Sequence, residues 1–102
     1  MRFLVKISIP HEPFNALVKN GTAEKRMQPI LAETKPEAAY FTAADGKRTA
    51  YLVVNIDQVS QMPSVAEPWF LQFNADVEFF PTMLGEDLGK ADIATIGAKW
   101  GK

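Results

Sequence analysis

The stretch AAYFTAADGKRTAYLVVNI, residues 38–56, carries the strongest structural signal in the chain. Two runs of aromatic, small and β-branched residues flank Asp45-Gly46. That dipeptide favours tight hairpins because glycine takes up the positive φ that such turns demand. The reading is two antiparallel strands, Ala38 to Ala43 and Arg48 to Ile56. Side chains alternate along a strand, so Leu52 and Val54 point one way while Tyr51, Val53 and Asn55 point the other.

Upstream, residues 2–9 alternate in the same manner, with Phe3, Val5, Ile7 and Ile9 opposed to Leu4, Lys6 and Ser8. Pro10 and Pro13 end this strand, because proline donates nothing to a ladder. Phe14, Leu17 and Val18 follow at helical spacing. Asn20-Gly21-Thr22 predicts a bend, and Met27, Ile30 and Leu31 begin a second helical piece. Pro29 costs that piece a hydrogen bond unless it lies in the first turn. Downstream, Asp57 is placed to cap a helix bearing Val59, Met62, Val65, Ala66, Trp69, Phe70 and Phe73, which Pro63 and Pro68 are expected to break into short turns. VEFFP, residues 77–81, reads as the last strand. The tail from Glu86 to Lys102 sets Ile93, Ile96, Gly97 and Trp100 on one stripe, as in a short terminal helix.

The order is therefore strand, helix, strand, strand, helix, strand, plus a helix. This is the pattern of an α+β domain of ferredoxin-like βαββαβ type, with a four-stranded antiparallel sheet and helices on one face. At 102 residues one domain spanning 1–102 is expected. Eleven basic against twelve acidic side chains leave a net charge of −1, which supplies no excess to neutralise a phosphate backbone, so no nucleic-acid partner is expected. The absence of cysteine excludes disulfides, zinc-thiolate sites and thiol catalysis. MRFLVKISIP carries a lysine inside its apolar run and lacks a small-residue cleavage site, unlike a secretory signal. No apolar run approaches a membrane span. A cytoplasmic location is the expectation.

Strand parity puts Phe3, Val5, Ile7, Leu52, Val54, Val77 and Phe79 beneath the helices. Left on the open face are Leu4, Lys6, Ser8, Tyr40, Thr42, Tyr51, Val53, Asn55, Glu78 and Phe80. Leu4, Tyr51, Val53 and Phe80 form too apolar a cluster for a solvated sheet, which argues for a second copy as cover.

On this element order, the opening MRFLVKISIP and the segment AEPWFLQFNADVEFFPTM (residues 66–83) resemble the dimeric α+β-barrel superfamily. That superfamily includes muconolactone isomerase, cofactor-independent monooxygenases of antibiotic biosynthesis, haem-degrading monooxygenases and uncharacterised bacterial groups, one of which this chain looks like. The resemblance implies a homodimer with a barrel cavity for a small organic ligand and no cofactor. Haem chemistry is not implied, because the haem-degrading members use a first-strand asparagine and a helical histidine, where this chain has Lys6 or Ser8 and only His11.

Candidate site residues follow from side-chain chemistry and position. His11, at the end of the first strand, offers an imidazole for acid–base work, or else is an exposed loop residue. Glu67, beside Trp69 and Phe70, is a general base if aromatics desolvate it, or else a surface carboxylate. Glu78 falls on the open face, where it either meets a ligand or pairs with Lys6. Tyr40, Tyr51 and Asn55 suit an organic ligand, or fill an interface. Trp69 lines a pocket or belongs to the core. No set of side chains has metal-ligand spacing. Two functions therefore compete: a cofactor-independent isomerase or monooxygenase, and a non-catalytic ligand-binding or sensing module.

Overall fold

The computed structural model describes residues 1–102. Strand β1 (Arg2–Ile9) is followed by α1 (His11–Lys19) and α2 (Ala23–Thr34), then by the hairpin of β2 (Ala38–Ala44) and β3 (Lys47–Asn55). A 3-10 turn (Val59–Gln61) leads into α3 (Met62–Phe73), β4 (Asp76–Pro81), α4 (Gly85–Gly89) and α5 (Ile93–Trp100). The four strands form one open antiparallel sheet in the order β2-β3-β1-β4. The architecture is α+β and compatible with a ferredoxin-like fold. The second helical piece expected after Asn20-Gly21-Thr22 is α2, and the departure from the expected order is two helices, rather than one, after β4.

The hairpin forms as its turn chemistry requires. Ala44 pairs with Lys47, leaving Asp45 and Gly46 as a two-residue loop with φ of 54° and 75°. Positive φ at both central positions matches the right-handed twist of the flanking strands. β1 sits in the middle of the sheet and pairs with β3 along its whole length, Arg2 opposite Asn55 through Ile9 opposite Arg48. On its other edge Phe3 to Ser8 pair with Pro81 to Asp76.

The core lies on one face. Phe3, Val5, Ile7 and Ile9 of β1 and Ala50, Leu52 and Val54 of β3 pack against Phe14 and Leu17 of α1, Ile30 of α2, and Val65, Trp69 and Phe73 of α3. Phe14 meets Phe73 with ring centroids 5.3 Å apart, and Trp69 meets Phe73 at 5.7 Å. Such pairs add to what area burial alone contributes. Arg48, whose parity also turns it to this side, lies over the Phe14 ring at 4.8 Å and donates to Asn15 Oδ1 at 2.8 Å.

Two expectations about prolines are corrected. α3 is one continuous helix rather than short turns. Pro63 occupies its second position, where no intrahelical donor is needed. Pro68 lies in the interior, but the burial of Val65, Ala66, Trp69 and Phe73 on one stripe outweighs one missing hydrogen bond. In α2, Pro29 lies beyond the first turn and is exposed, so water can serve the carbonyl it leaves free. Nor is Asp57 the cap. The side-chain oxygen of Gln61 accepts from the backbone N–H of both Asp57 and Gln58 at 2.9 Å, closing the turn ahead of α3.

Trp69 is fully buried, and its indole N–H finds no acceptor. An unpaired buried donor costs about 1–3 kcal/mol. Replacing the ring by a smaller one loses packing but removes that penalty, whereas Phe73 has no polar atom to give up. Urea unfolding followed by circular dichroism should therefore show Phe73→Ala costing about 3–5 kcal/mol. Trp69→Phe should cost less than half as much. Equal losses would mean that the indole nitrogen is hydrogen-bonded after all.

Candidate functional site

The face of the sheet opposite the helices is set out in rows, because register fixes which residues stand side by side. One row runs Tyr40, Tyr51, Lys6, Glu78 across all four strands. The next toward the start of β1 runs Ala38, Val53, Leu4, Phe80. On the other side Thr42, Thr49, Ser8 and Asp76 make a row of small polar residues. A phenol-and-charge row is thus flanked by an apolar row and a hydroxyl row, with neighbours about 4.5–5.5 Å apart at Cβ.

Exposure grades along these rows. Leu4, Lys6, Ser8, Tyr51 and Val53 on the central strands are half-buried, while Tyr40 and Glu78 on the edge strands are exposed. Phe80 retains 42 % of its surface and Tyr40 65 %. No helix of this chain covers them. Thr49 is the buried polar residue of the face, and its hydroxyl donates to the Lys47 carbonyl at 3.1 Å.

Lys6 and Glu78 stand opposite each other, yet no ion pair closes between them. The chain's one salt bridge joins Arg2 to Glu37. The expected pairing of Lys6 with Glu78 is therefore corrected: both charges remain free for other partners. Arg2 holds Glu37 in a two-pronged contact, Nε to Oε2 at 3.0 Å and Nη2 to Oε1 at 3.1 Å. Hydrogen bonding to Glu37 raises the Arg2 guanidinium above its ordinary value; desolvation opposes it, and the attraction of Glu37, Asp87 and Glu86 adds to the rise. That pair closes the Asn55 end of the open face, since Arg2 is the register partner of Asn55.

Of the residues singled out from sequence, Tyr40, Tyr51 and Glu78 come together in one row, with Asn55 two rows away on the same strand as Tyr51. The others do not join them. Trp69 is wholly buried in the core beneath the sheet, so it lines no cavity. His11 is exposed at the start of α1. Glu67 is exposed on α3, without the aromatic enclosure that a desolvated base needs.

Glu67 instead lines an open groove of about 930 Å³ between α2 and α3, together with Arg26, Glu33, Ile30, Leu71 and Gln72. Arg26 Nη1 lies 3.4 Å from Gln72 Oε1 across it, and Asn55 reaches its end. A second, smaller cavity of about 190 Å³ lies at the hairpin end of the sheet, lined by Ile9, Phe14, Met27, Phe41 and Arg48. Sequence reading missed both, because each is assembled from elements far apart in the chain. No cluster of histidine, cysteine, aspartate or glutamate is placed to hold a metal ion. No helix is long and apolar enough to cross a membrane.

Comparison with protein-family models finds no match for this chain, and comparison with curated proteins finds none either.

Proposed function

We propose that the chain works as a homodimer that binds a small organic molecule between the open faces of two sheets, in the manner of a dimeric α+β barrel. The observation that supports this most directly is the row order on the open face. An apolar row of Leu4, Val53 and Phe80 beside Tyr40, Tyr51, Lys6 and Glu78 suits a ligand with an apolar body and one hydrogen-bonding end. Phe80 and Tyr40 stay exposed on a single copy, which gives a second copy surface to cover. Lys6, free of any ion pair, is the donor for the ligand's polar end, and the Tyr51 hydroxyl beside it adds a second hydrogen bond.

The binding reading is preferred to the catalytic one on geometry. His11 and Glu67, the two candidate bases, lie away from the Tyr51 row, and no set of nucleophile, base and orienting group is assembled there. Catalysis by an isomerase or monooxygenase keeps one specific support: Glu78 is a carboxylate on the same row as Tyr51 and Lys6, in reach of a shared ligand.

Light scattering at micromolar concentration should give twice the 11.3 kDa chain mass. Val53→Lys, which puts a charge in the apolar row, should shift the protein to monomer without loss of its circular dichroism. A monomeric wild-type chain would sink this reading.

For the ligand, a thermal-shift screen with aromatic and alicyclic carboxylic acids should yield binders that raise the midpoint of the wild-type protein and not of Lys6→Ala. The same hits, incubated with wild type and Glu78→Gln and followed by mass spectrometry, separate the two functions. Unchanged ligand supports a binding module, whereas turnover abolished by Glu78→Gln supports an enzyme. Equal shifts in wild type and Lys6→Ala would remove Lys6 from the site.

A further inference from the structure

The sheet order β2-β3-β1-β4 leaves β2 and β4 as its two free edges, and the two are built differently. β4 is six residues long, carries Asp76 and Glu78, and ends on Pro81. Charge, proline and shortness all keep an edge strand from pairing further. β2 runs seven residues, Ala-Ala-Tyr-Phe-Thr-Ala-Ala, with no charge and no proline. Tyr40 and Phe41 at its middle keep 65 % and 55 % of their surface.

Hairpin geometry fixes which backbone groups of β2 are free. Across the two-residue loop Ala44 and Lys47 exchange both hydrogen bonds, and alternation gives the same inward role to Thr42, Tyr40 and Ala38. The N–H and C=O of Ala39, Phe41 and Ala43 therefore point off the edge. No backbone group of a turn, loop or cap meets them.

We propose that β2 pairs antiparallel with β2 of a second copy, about a twofold axis through Phe41. The strand suits this because it reads nearly the same in both directions. Ala38 faces Ala44 of the second copy, Ala39 faces Ala43, and Phe41 faces its own counterpart. Tyr40 faces Thr42, phenol beside hydroxyl. The free groups of Ala39, Phe41 and Ala43 then satisfy one another through about six hydrogen bonds. Moving the axis to Tyr40 or Thr42 would shorten the overlap of the seven-residue strands by two. Just beyond the strands Glu37 faces Asp45, but Glu37 is already held by Arg2.

The two exposed rings contribute on the order of 250 Å² per copy. Stable interfaces bury about 800 Å² per partner, so this contact rests on the backbone and forms only at high concentration. It uses a different surface from the open-face dimer and does not depend on it. At micromolar concentration it leaves the mass of that dimer unchanged.

The test exploits a chain without cysteine. Copies bearing Tyr40→Cys are mixed with copies bearing Thr42→Cys at millimolar concentration and mildly oxidised. The mixed disulfide, recognised by its mass, should exceed the two like-with-like disulfides combined, which chance collision would only equal. Sheets packed face to face lie about 10 Å apart, too far for this bond, and Val53→Lys should leave its yield unchanged. Ala43→Pro removes an outward donor while sparing the β2–β3 ladder. Added to both cysteine variants, it should return the products to chance. In sedimentation, wild-type mass should rise between micromolar and millimolar concentration, and Ala43→Pro should weaken that association on the order of tenfold to a hundredfold. A chance yield of the mixed disulfide, or a yield indifferent to Ala43→Pro, would overturn the edge pairing. So would a yield abolished by Val53→Lys, or a mass that stays constant up to millimolar concentration.

Discussion

The central strand β1 must satisfy two neighbours and two environments at once. Its odd-numbered residues Phe3, Val5, Ile7 and Ile9 are buried under the helices, and its backbone is committed to β3 on one side and β4 on the other. A slip of one residue would turn all four apolar side chains to the open face and bring Lys6 into the core, so register is strongly specified. Everything on the far side of the sheet inherits that decision. Tyr51 stands beside Lys6, and Lys6 beside Glu78, because Leu52, Val5 and Phe79 must stand together one step along. Which residues neighbour one another on the open face is therefore fixed by packing on the opposite one.

This dependence explains what could be read from sequence. Alternation in β1 and β3 and the Asp45-Gly46 turn are local signals with a direct physical cause, and each led to the observed element. Tyr40, Tyr51, Asn55 and Glu78 were placed on the open face by parity alone, and parity is enforced by burial. His11, Glu67 and Trp69 were singled out instead for what their side chains can do chemically. Nothing in the folding of a chain obliges a capable side chain to meet another. One is exposed at a strand end, one on a helix surface, and one is the packing centre of the core.

Prolines mark the other boundary of legibility. Pro63 and Pro68 favour interruption when read locally, yet α3 continues through them, since a stripe of Val65, Ala66, Trp69 and Phe73 offers more on burial than one backbone hydrogen bond removes. Tertiary packing overrides local preference where enough apolar surface is involved. The groove between α2 and α3 and the Arg2–Glu37 contact were unreadable for a related reason. Both depend on how elements far apart in the chain are brought together, α2 and α3 across the hairpin and Arg2 and Glu37 across α1 and α2, and no periodicity encodes that.

The distribution of burial also divides the chain into a part that folds and a part left over. All seventeen buried residues lie between Phe3 and Ala75, and β4 completes the sheet at Pro81. Nothing after that strand adds to the core, so the last twenty or so residues do not stabilise the domain from within. Yet their composition is not that of a solvated tail, which would be charged and poor in large apolar groups. α5 reads Ile-Ala-Thr-Ile-Gly-Ala-Lys-Trp, with a single charge. That segment leaves Leu88, Ile93, Ile96 and Trp100 exposed. The open sheet face and this apolar segment are two exposed surfaces of one small domain, and the homodimer proposed above would give the first of them cover.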